Sequence, residues 1–244
     1  MTGLIAPYLG VARSLVTYYG MPWRRRGLAK LYGELVKPGD LVFDIGAHVG
    51  NRTRTLHSLG CDIVAVEPQP LLIGTLRRTL PKTRATLVEK AVGREPGTAT
   101  LRISSRHPTV STLSARWIET VGKTDGFGAV AWDREAEVEV TTLDALIAEF
   151  GRPSFCKIDV EGLEADILAG LSQPIRMIAF EALPEAPDVT RACLDRLGEL
   201  GDYRYNFVAG EGSELVFEEW TDAPSILAAT LRRGQGDVYA RLAT

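Results

Sequence analysis

The chain has 244 residues, of which 45% are hydrophobic and 24% are charged, and these are ordinary proportions for a globular protein. Disordered, collagen-like and coiled-coil architectures are therefore excluded. Lys and Arg number 28 against 31 Asp and Glu, which gives a net charge of −3. A chain so close to neutral has no general attraction to phosphate backbones, so we expect no nucleic-acid partner.

The cysteines favour a reducing, cytoplasmic location. Cys61, Cys156 and Cys193 are odd in number, far apart, and not combined with histidine at metal-ligand spacing. The apolar start of the chain lacks a basic beginning and is interrupted by Arg13. We therefore expect neither a signal peptide nor a transmembrane segment.

Apolar side chains near the start of the chain recur at helical spacing and predict one or two amphipathic helices, an N-terminal helical extension over residues 1–37. They are Leu4, Ile5, Tyr8, Leu9, Ala12, Leu15, Val16 and Tyr19. The basic cluster Trp23-Arg24-Arg25-Arg26 follows, and we interpret it as a solvated turn between helices. Contact with an anionic or lipid-linked acceptor, with a membrane surface, or within a homodimer stays an alternative for this region.

From residue 38 onwards, short apolar runs alternate with segments of helical period. The predicted strands are 41–45, 63–67, 86–92, 155–159 and 175–181, and the predicted helices are 51–60, 70–80, 163–171 and 189–200. This alternation predicts an α/β fold with a doubly wound, mostly parallel sheet that is covered on both faces. We assign residues 38–244 to one domain.

Residues 98–141 interrupt this alternation of predicted strands and helices. Alternating patterns at 98–103 and 136–140 predict an antiparallel β-ribbon. The polar, turn-rich segment between them, residues 104–134, is a candidate lid because excursions of this length are usually functional or disordered. Thr141-Thr142-Leu143-Asp144 then resembles a helix cap with an acidic first turn.

The most specific motif is a strand that ends in an acid and continues into a glycine turn. It reads Val42-Phe43-Asp44-Ile45-Gly46-Ala47-His48-Val49-Gly50-Asn51. Glycine lets the backbone turn sharply and lets a ligand lie against it. The turn lacks the third glycine of the dinucleotide fingerprint, and Asp44 would repel a phosphate and attract a cation. A nucleoside that carries an amino acid and a positive sulfur therefore fits better than NAD.

Further acids end the following strands. Glu67 ends the next predicted strand, at the spacing where a carboxylate binds ribose hydroxyls, although such an acid alone is more often a solvent-facing cap. Asp159 and Glu161 follow the fourth strand, and Glu181 ends the fifth. Ligands bind at this edge of an open α/β sheet, so we expect Asp44 and these acids to converge on one crevice.

The acids after the fourth strand allow several roles. One could orient or deprotonate a substrate hydroxyl, or the set could bind a divalent cation through oxygen. Glu161 could instead cap the following helix, and a purely structural role stays open for Asp159. We assign no residue as a metal ligand.

Several of these motifs together resemble the FkbM family of S-adenosylmethionine-dependent methyltransferases, from about residue 38 to residue 242. They are Phe43-Asp44-Ile45-Gly46-Ala47-His48-Val49-Gly50-Asn51, Glu67-Pro68, Thr142-Leu143-Asp144 and Lys157-Ile158-Asp159-Val160-Glu161-Gly162. The resemblance implies a class I, Rossmann-like methyltransferase fold whose seven-stranded sheet has an antiparallel last strand, supplied by residues 237–241. It implies O-methylation of a hydroxyl group on a small molecule, secondary metabolite or sugar. His48 departs from the family, which often has Asn there.

The resemblance also implies that S-adenosyl-L-methionine is the cofactor. The implied contacts are Asp44, Gly46, Ala47, His48, Gly50, Asn51, Glu67, Pro68, Ala91, Val92 and Asp159. As the general base we rank Asp159 first, then Glu181, Glu161 and the lid residue His107. An NAD-dependent oxidoreductase and a catalytically silent nucleoside-binding module stay open as alternatives.

Overall fold

The structure, a computed structural model, describes residues 2–19, 22–121 and 130–243. Its strands are β1 (Leu41–Ile45), β2 (Asp62–Val66), β3 (Ala85–Val88), β4 (Ala91–Val92), β5 (Gly97–Ile103), β6 (Arg134–Thr141), β7 (Phe155–Ile158), β8 (Met177–Ala182), β9 (Tyr203–Ala209) and β10 (Gly236–Leu242). Its α-helices are α1 (Thr2–Tyr19), α2 (Pro22–Leu35), α3 (Asn51–Ser58), α4 (Pro70–Thr79), α5 (Ala115–Val121), α6 (Leu143–Phe150), α7 (Glu164–Ala169), α8 (Pro187–Leu200) and α9 (Ala223–Arg233).

A seven-stranded sheet forms the centre of the molecule, in the order β3-β2-β1-β7-β8-β10-β9. The β1–β2, β2–β3, β1–β7 and β7–β8 pairs are parallel, whereas β10 runs antiparallel to both β8 and β9. This confirms the predicted mostly parallel sheet with an antiparallel last strand. The order reverses beside β1, so the carboxyl ends of β1 and β7 open onto a crevice where ligands bind in such sheets.

Helices cover both faces of this sheet. Alternate residues of β1 point to opposite sides, so Val42 packs in one core cluster and Phe43 in the other. The first cluster joins the sheet to α2, α3 and α4, and the second joins it to α6, α7, α8 and α9. Because both faces are buried, the central strands are continuous apolar runs, and this is why they were recognisable in the sequence.

Two sequence predictions are wrong in detail. Residues 86–92 do not form one strand: β3 lies at the edge of the main sheet, and the chain then leaves it so that β4 pairs with β6 in a separate three-stranded sheet. The cluster at residues 23–26 is not a turn, because α2 begins at Pro22 and continues through it. Proline favours the first turn of a helix, where its missing N–H has no intrahelical partner. The side chains of Arg25 and Arg26 are exposed, while those of Trp23 and Arg24 lie outside the description.

The predicted ribbon is present, since β5 and β6 pair antiparallel from Gly97 to Ile103. The lid segment, residues 104–134, is more ordered than its composition indicates. It contains a short 3₁₀ turn (Pro108–Val110) and α5, although residues 122–129 lie outside the described ranges. A hydrogen bond joins its first half to its end, because the Trp132 indole N–H donates to the Val110 carbonyl oxygen at 2.9 Å.

The amphipathic first helix packs on the site-forming part of the domain. Val11 of α1 contacts a small cluster that includes Val49 of the glycine turn and Leu72 of α4. None of the helices that the structure describes combines the length and apolar character needed to cross a bilayer. The three cysteines are buried and unbonded to one another.

Candidate functional site

Two adjoining cavities lie at the carboxyl ends of β1, β2 and β7. The first, the strand-end cavity, has an empty volume of about 590 Å³. It is lined by Ile45, Gly46, His48, Val66, Glu67, Pro68, Gln69, Leu72, Lys90, Ala91, Val92, Leu101, Pro108, Thr109, Ser111, Thr112, Leu113, Asp159, Val160, Glu161 and Leu163. The second, the acidic cavity, has about 470 Å³ and is lined by Asp44, Gly46, Ala47, His48, Val49, Asn51, Arg52, Thr109, Asp159 and Glu161.

The glycine turn forms the wall that both cavities share. The backbone N–H groups of Gly46 and Ala47 both donate to the Val66 carbonyl oxygen, at 2.9 and 3.0 Å. Gly46 has φ +81°, and a Cβ atom there would collide with the Asp159 carbonyl oxygen. Glycine is therefore required at this position for two independent reasons. His48 also adopts a left-handed conformation, with φ +50°.

Glu67 is buried immediately after β2 and faces the strand-end cavity. One carboxylate oxygen accepts from the backbone N–H of His48 and the other from that of Gln69, each at 2.9 Å. Burial raises the pKa of Glu67 to about 7, although these two hydrogen bonds act in the opposite direction. A solvent-facing cap, the simplest alternative in the sequence, does not describe this side chain.

Asp44 is 1% exposed and lines the acidic cavity. Its carboxylate accepts a hydrogen bond from the Thr53 hydroxyl group on α3. Burial raises the pKa of Asp44, while this bond and the positive charge of Arg52 lower it. The last residues of β1 are thereby anchored to the helix that follows the glycine turn.

A largely buried group of charges surrounds Asp159, in which Lys157 is fully enclosed. The Lys157 ammonium group lies 3.4 Å from Asp159 and 3.0 Å from Asp237 of β10. The Arg52 guanidinium group lies 3.7 Å from Asp159 and 3.2 Å from Asp237. Burial alone would raise the pKa of Asp159, but the nearby charges of Lys157 and Arg52 hold it below its usual value. Asp159 is therefore ionised at neutral pH.

Glu161 and Glu181 meet Asp159 at the edge of this group. One oxygen from each of the three carboxylates lies within 4.8 Å of the others, a spacing that a divalent cation could bridge. Burial raises the pKa of Glu161 and the neighbouring charge of Glu181 raises it further. Burial and the charge of Asp159 likewise raise the pKa of Glu181, which also accepts from the Gln235 side chain at 2.8 Å.

The structure does not show Glu161 as a helix cap, because α7 follows Leu163 and has no side-chain capping hydrogen bond. The Glu164 carboxylate accepts from the backbone N–H groups of Val160 and Gly162 at 3.2 and 3.3 Å. Glu161 itself has a left-handed backbone, with φ +59°. For a residue that is not glycine this conformation is uncommon and is concentrated at functional sites.

The lid segment packs against the loop that carries Glu161 and Gly162. The Thr112 hydroxyl group donates to the Glu161 carbonyl oxygen at 2.8 Å. The Trp117 ring of α5 occupies the space where a side chain at Gly162 would lie. His107 is placed at the start of the 3₁₀ turn, and among the described residues it lines neither cavity.

The structure brings together most of the residues that were singled out in the sequence. Pro68, Ala91 and Val92 line the strand-end cavity, and Ala47 and Asn51 line the acidic cavity. Gly50 lines neither, but it supplies a positive φ of +80° at the start of α3. The side chains at the site that sequence reasoning missed are Arg52, Gln69, Lys157 (quoted only as part of a motif) and Asp237.

Comparisons with known proteins agree with one another. A family model for the methyltransferase FkbM domain matches residues 44–207. The 31-O-demethyl-FK506 methyltransferase FkbM from Streptomyces tacrolimicus is 29% identical, over 73% of this chain and 77% of that protein.

Among solved structures, the precorrin-6y C5,15-methyltransferase from Geobacter metallireducens superposes with a TM-score of 0.47, at 15% identity over 90% of this chain and 87% of that one. A TehB-like SAM-dependent methyltransferase from Corynebacterium glutamicum gives 0.43, at 10% identity over 95% and 100%.

Proposed function

Because the chain belongs to the FkbM methyltransferase family, we propose that it uses S-adenosyl-L-methionine to methylate a hydroxyl group on a small molecule. One observation carries this proposal. A cavity at the strand ends is lined by a glycine turn, by a buried carboxylate, Glu67, and by Asp159 and Glu161, which form a cluster of three acids with Glu181. The glycine turn and Glu67 suit a nucleoside, and the acids suit a hydroxyl group that must lose a proton.

The residues present fit the cofactor. Each Glu67 oxygen accepts one backbone hydrogen bond and keeps capacity for another, so the carboxylate can accept from ribose hydroxyls. Leu72, Ala91 and Val92 supply apolar surface for the base in the same cavity. The acidic cavity beside Asp44 suits the ammonium group at the amino-acid end of the cofactor. The cofactor would supply a methyl group that its positive sulfur has already activated.

We assign different roles to the acids. Asp159 is paired with two cations, which makes it a weak proton acceptor but a fixed negative charge that can orient a hydroxyl group. Among the ion pairs of the described residues, none involves Glu161 or Glu181, and both lie beside Asp159. These surroundings favour Glu161, which lines both cavities, and then its neighbour Glu181 as the group that removes the proton, ahead of Asp159 and of His107, which is outside the acid cluster.

The acceptor class rests on the same acids and on the relative. An aliphatic hydroxyl group is a poor acid, so a carboxylate cluster beside the cofactor cavity is expected for O-methylation. The Streptomyces relative is named as a 31-O-demethyl-FK506 methyltransferase, a name that describes O-methylation. We extend this reaction type to the present chain, with a metabolite or sugar hydroxyl group as the acceptor.

Cofactor binding is the first test. Isothermal titration calorimetry with S-adenosylhomocysteine should show binding, and titration with NAD should show none. Binding of NAD alone would refute the methyltransferase proposal in favour of an oxidoreductase. Transfer of a labelled methyl group from S-adenosylmethionine to a panel of hydroxyl compounds then tests catalysis, and a protein that binds the cofactor but methylates nothing in a metabolite extract would be a silent module.

Substitutions test the roles of the acids. We expect Asp159→Asn, Glu161→Gln and Glu181→Gln to retain S-adenosylhomocysteine binding. The variant that removes the base should lose roughly 10²–10⁴-fold in kcat. Glu185→Gln is the matched control, because Glu185 is an exposed glutamate outside both cavities. Full activity in both glutamate variants would contradict the assignment, and loss of wild-type activity with EDTA, restored by Mg²⁺, would assign these oxygens to a cation instead.

A further inference from the structure

The first helix, α1, presents an apolar face to solvent. Tyr8, Leu9 and Val16 are 66%, 63% and 71% exposed, whereas Ser14 on the other side of the helix is buried. Ala12 is exposed as well, and positions 8, 9, 12 and 16 lie on one side of an α-helix. A surface helix normally has the reverse arrangement, with polar side chains toward water and apolar ones toward the core. This inverted polarity indicates that another surface covers the exposed face of α1.

The exposed apolar side chains are clustered, and α1 is attached to the domain by its other side. Among the side chains that the structure describes, four large hydrophobic ones are exposed, and three of them lie on this face; the fourth is Leu231 of α9. Single exposed hydrophobic side chains are ordinary, but a cluster marks an interaction surface. On the attached side, Val11 packs with Val49 of the glycine turn. Gly10 lies so close to the Ser105 carbonyl oxygen that a Cβ atom would collide with it.

The charge of this region indicates the chemistry of its partner. Residues 1–33 contain no Asp or Glu and five basic residues, Arg13, Arg24, Arg25, Arg26 and Lys30. The net charge of the whole chain is −3, so these five positive charges leave −8 on the remaining residues. The side chains of Arg13, Arg25, Arg26 and Lys30 are exposed, and α1 and α2, which carry them, contact each other. Apolar side chains beside basic ones, without acids, are typical of helices that lie on anionic membranes.

A membrane fits this charge distribution better than a second copy of the chain. A two-fold dimer through α1 would bring the basic regions of both copies together, and like charges oppose such a contact. An anionic lipid surface attracts the basic residues and takes up the apolar ones. The same surface repels the acidic remainder of the protein, so the molecule would approach the membrane with α1 and α2 first.

We propose that α1 and the first turns of α2 form a docking surface for an anionic lipid membrane. Tyr8, Leu9 and Val16 enter the headgroup region, and Arg25 and Arg26 contact lipid phosphates. The helix lies along the membrane plane without crossing it, and the domain attached to its other side stays in the aqueous phase. This proposal goes beyond the methyltransferase reaction and does not depend on the proposed cofactor.

Co-sedimentation of the full chain with lipid vesicles tests the docking surface. One set of vesicles is pure phosphatidylcholine, and the other contains about one third phosphatidylglycerol, an anionic lipid. The wild type should bind the anionic vesicles at least about tenfold more tightly than the neutral ones, and added salt should weaken this binding. Equal binding to both sets of vesicles, or binding to neither, would overturn the proposal.

Two double variants separate the apolar contribution from the electrostatic one. Leu9→Ser with Val16→Ser should weaken binding to the anionic vesicles by at least about tenfold, because two apolar side chains no longer enter the lipid. Arg25→Gln with Arg26→Gln should weaken it by about tenfold or more and should remove most of its salt dependence. All of the changed residues are exposed, so circular dichroism should show the fold of the wild type.

Helix α9 provides matched controls, because Leu231, Arg232 and Arg233 are exposed there and α9 packs on β9, at an edge of the main sheet. Leu231→Ser, and Arg232→Gln with Arg233→Gln, should leave vesicle binding unchanged. Control variants that lose as much binding as the α1 and α2 variants would contradict the assigned surface.

Two further measurements distinguish the other outcomes. If the wild type binds no vesicles but forms a dimer that Leu9→Ser with Val16→Ser dissociates, the face belongs to a second copy of the chain and the proposal fails. All variants should bind S-adenosylhomocysteine as the wild type does. A wild type that binds this nucleoside but no vesicles refutes the docking surface alone, and one that binds vesicles but not the nucleoside refutes the proposed cofactor alone.

Discussion

Replacing Glu67 with glutamine should make the free energy of unfolding less dependent on pH. Burial raises the pKa of Glu67 from its usual 4.5 to about 7. Between these pH values the folded protein keeps a proton on Glu67 that the unfolded chain releases. The stability contributed by this carboxyl group is therefore fully present below pH 4.5, is lost as the pH rises to 7, and does not change further above 7.

The size of the effect follows from the pKa difference. At 1.36 kcal/mol per pKa unit, a rise from 4.5 to about 7 corresponds to on the order of 3 kcal/mol. In a chain of this length that is roughly 6–12 °C in Tm. Glutamine can accept only one of the two backbone hydrogen bonds, which costs about 1–3 kcal/mol. The protonated carboxyl group faces a similar loss, so the difference between pH values isolates the charge.

Urea unfolding at pH 5 and pH 8 measures the effect. The wild type should lose stability between the two pH values, and Glu67→Gln should lose on the order of 3 kcal/mol less. Glu164→Gln is the comparison variant, because burial also raises the pKa of Glu164 to about 7, and a glutamine oxygen can keep both of its backbone hydrogen bonds, which end on one oxygen. Both variants should flatten the pH profile, but only Glu67→Gln should weaken S-adenosylhomocysteine binding. A Glu67→Gln profile parallel to that of the wild type would refute the reasoning.

Three other substitutions test structural contacts. Lys157→Met leaves Asp159 and Asp237 without their buried cation. We expect it to lower the free energy of unfolding, measured by urea titration, by about 3–5 kcal/mol. A loss of less than about 1 kcal/mol would contradict this expectation. Gly162→Ala places a methyl group against the Trp117 ring at a residue with φ +95°. We expect it to lower the free energy of unfolding by at least about 1 kcal/mol and to change the tryptophan fluorescence. An unchanged spectrum would mean that the contact between Gly162 and the lid segment is absent. Thr142→Ala removes the cap that accepts from the Ala145 N–H, with an expected loss of about 1 kcal/mol by thermal unfolding that Thr142→Ser should largely restore.

Local patterns explain why the central strands and the glycine turn were predictable. The apolar run of β1 ends in Asp44 and continues into Gly46, so one sequence window contains the strand, its acid and the turn. The capping signal of α6 was equally local, because the Thr142 hydroxyl oxygen accepts from the Ala145 N–H, three residues later in the chain. β9 and α9 were missed, although alternate aromatic residues from Tyr203 and the cap at Asp222 were available as signals.

The charges around Asp159 could not be predicted in this way. Lys157 meets Asp237 across 80 residues, and Arg52 meets it across 185 residues. These contacts exist because β10 lies beside β8 in the sheet and because α3 follows β1 at its carboxyl end. They therefore depend on the topology and not on any local pattern. The hydrogen bond that the Gln69 side chain donates to the Ser111 hydroxyl oxygen, across 42 residues, depends in the same way on how the lid segment folds back.

The acids at the strand ends show why this long-range information matters for function. In the sequence, Asp159, Glu161 and Glu181 are three similar carboxylates, and Asp159 ranks first as a base. In the folded protein, Asp159 has two cations beside it, whereas the pKa of each of the other two is raised by burial and by neighbouring carboxylates. Surroundings that push the pKa values of adjacent acids apart allow one to remain a fixed charge while another exchanges a proton. The division of labour proposed for this site therefore depends on Lys157 and Arg52 as much as on the acids themselves.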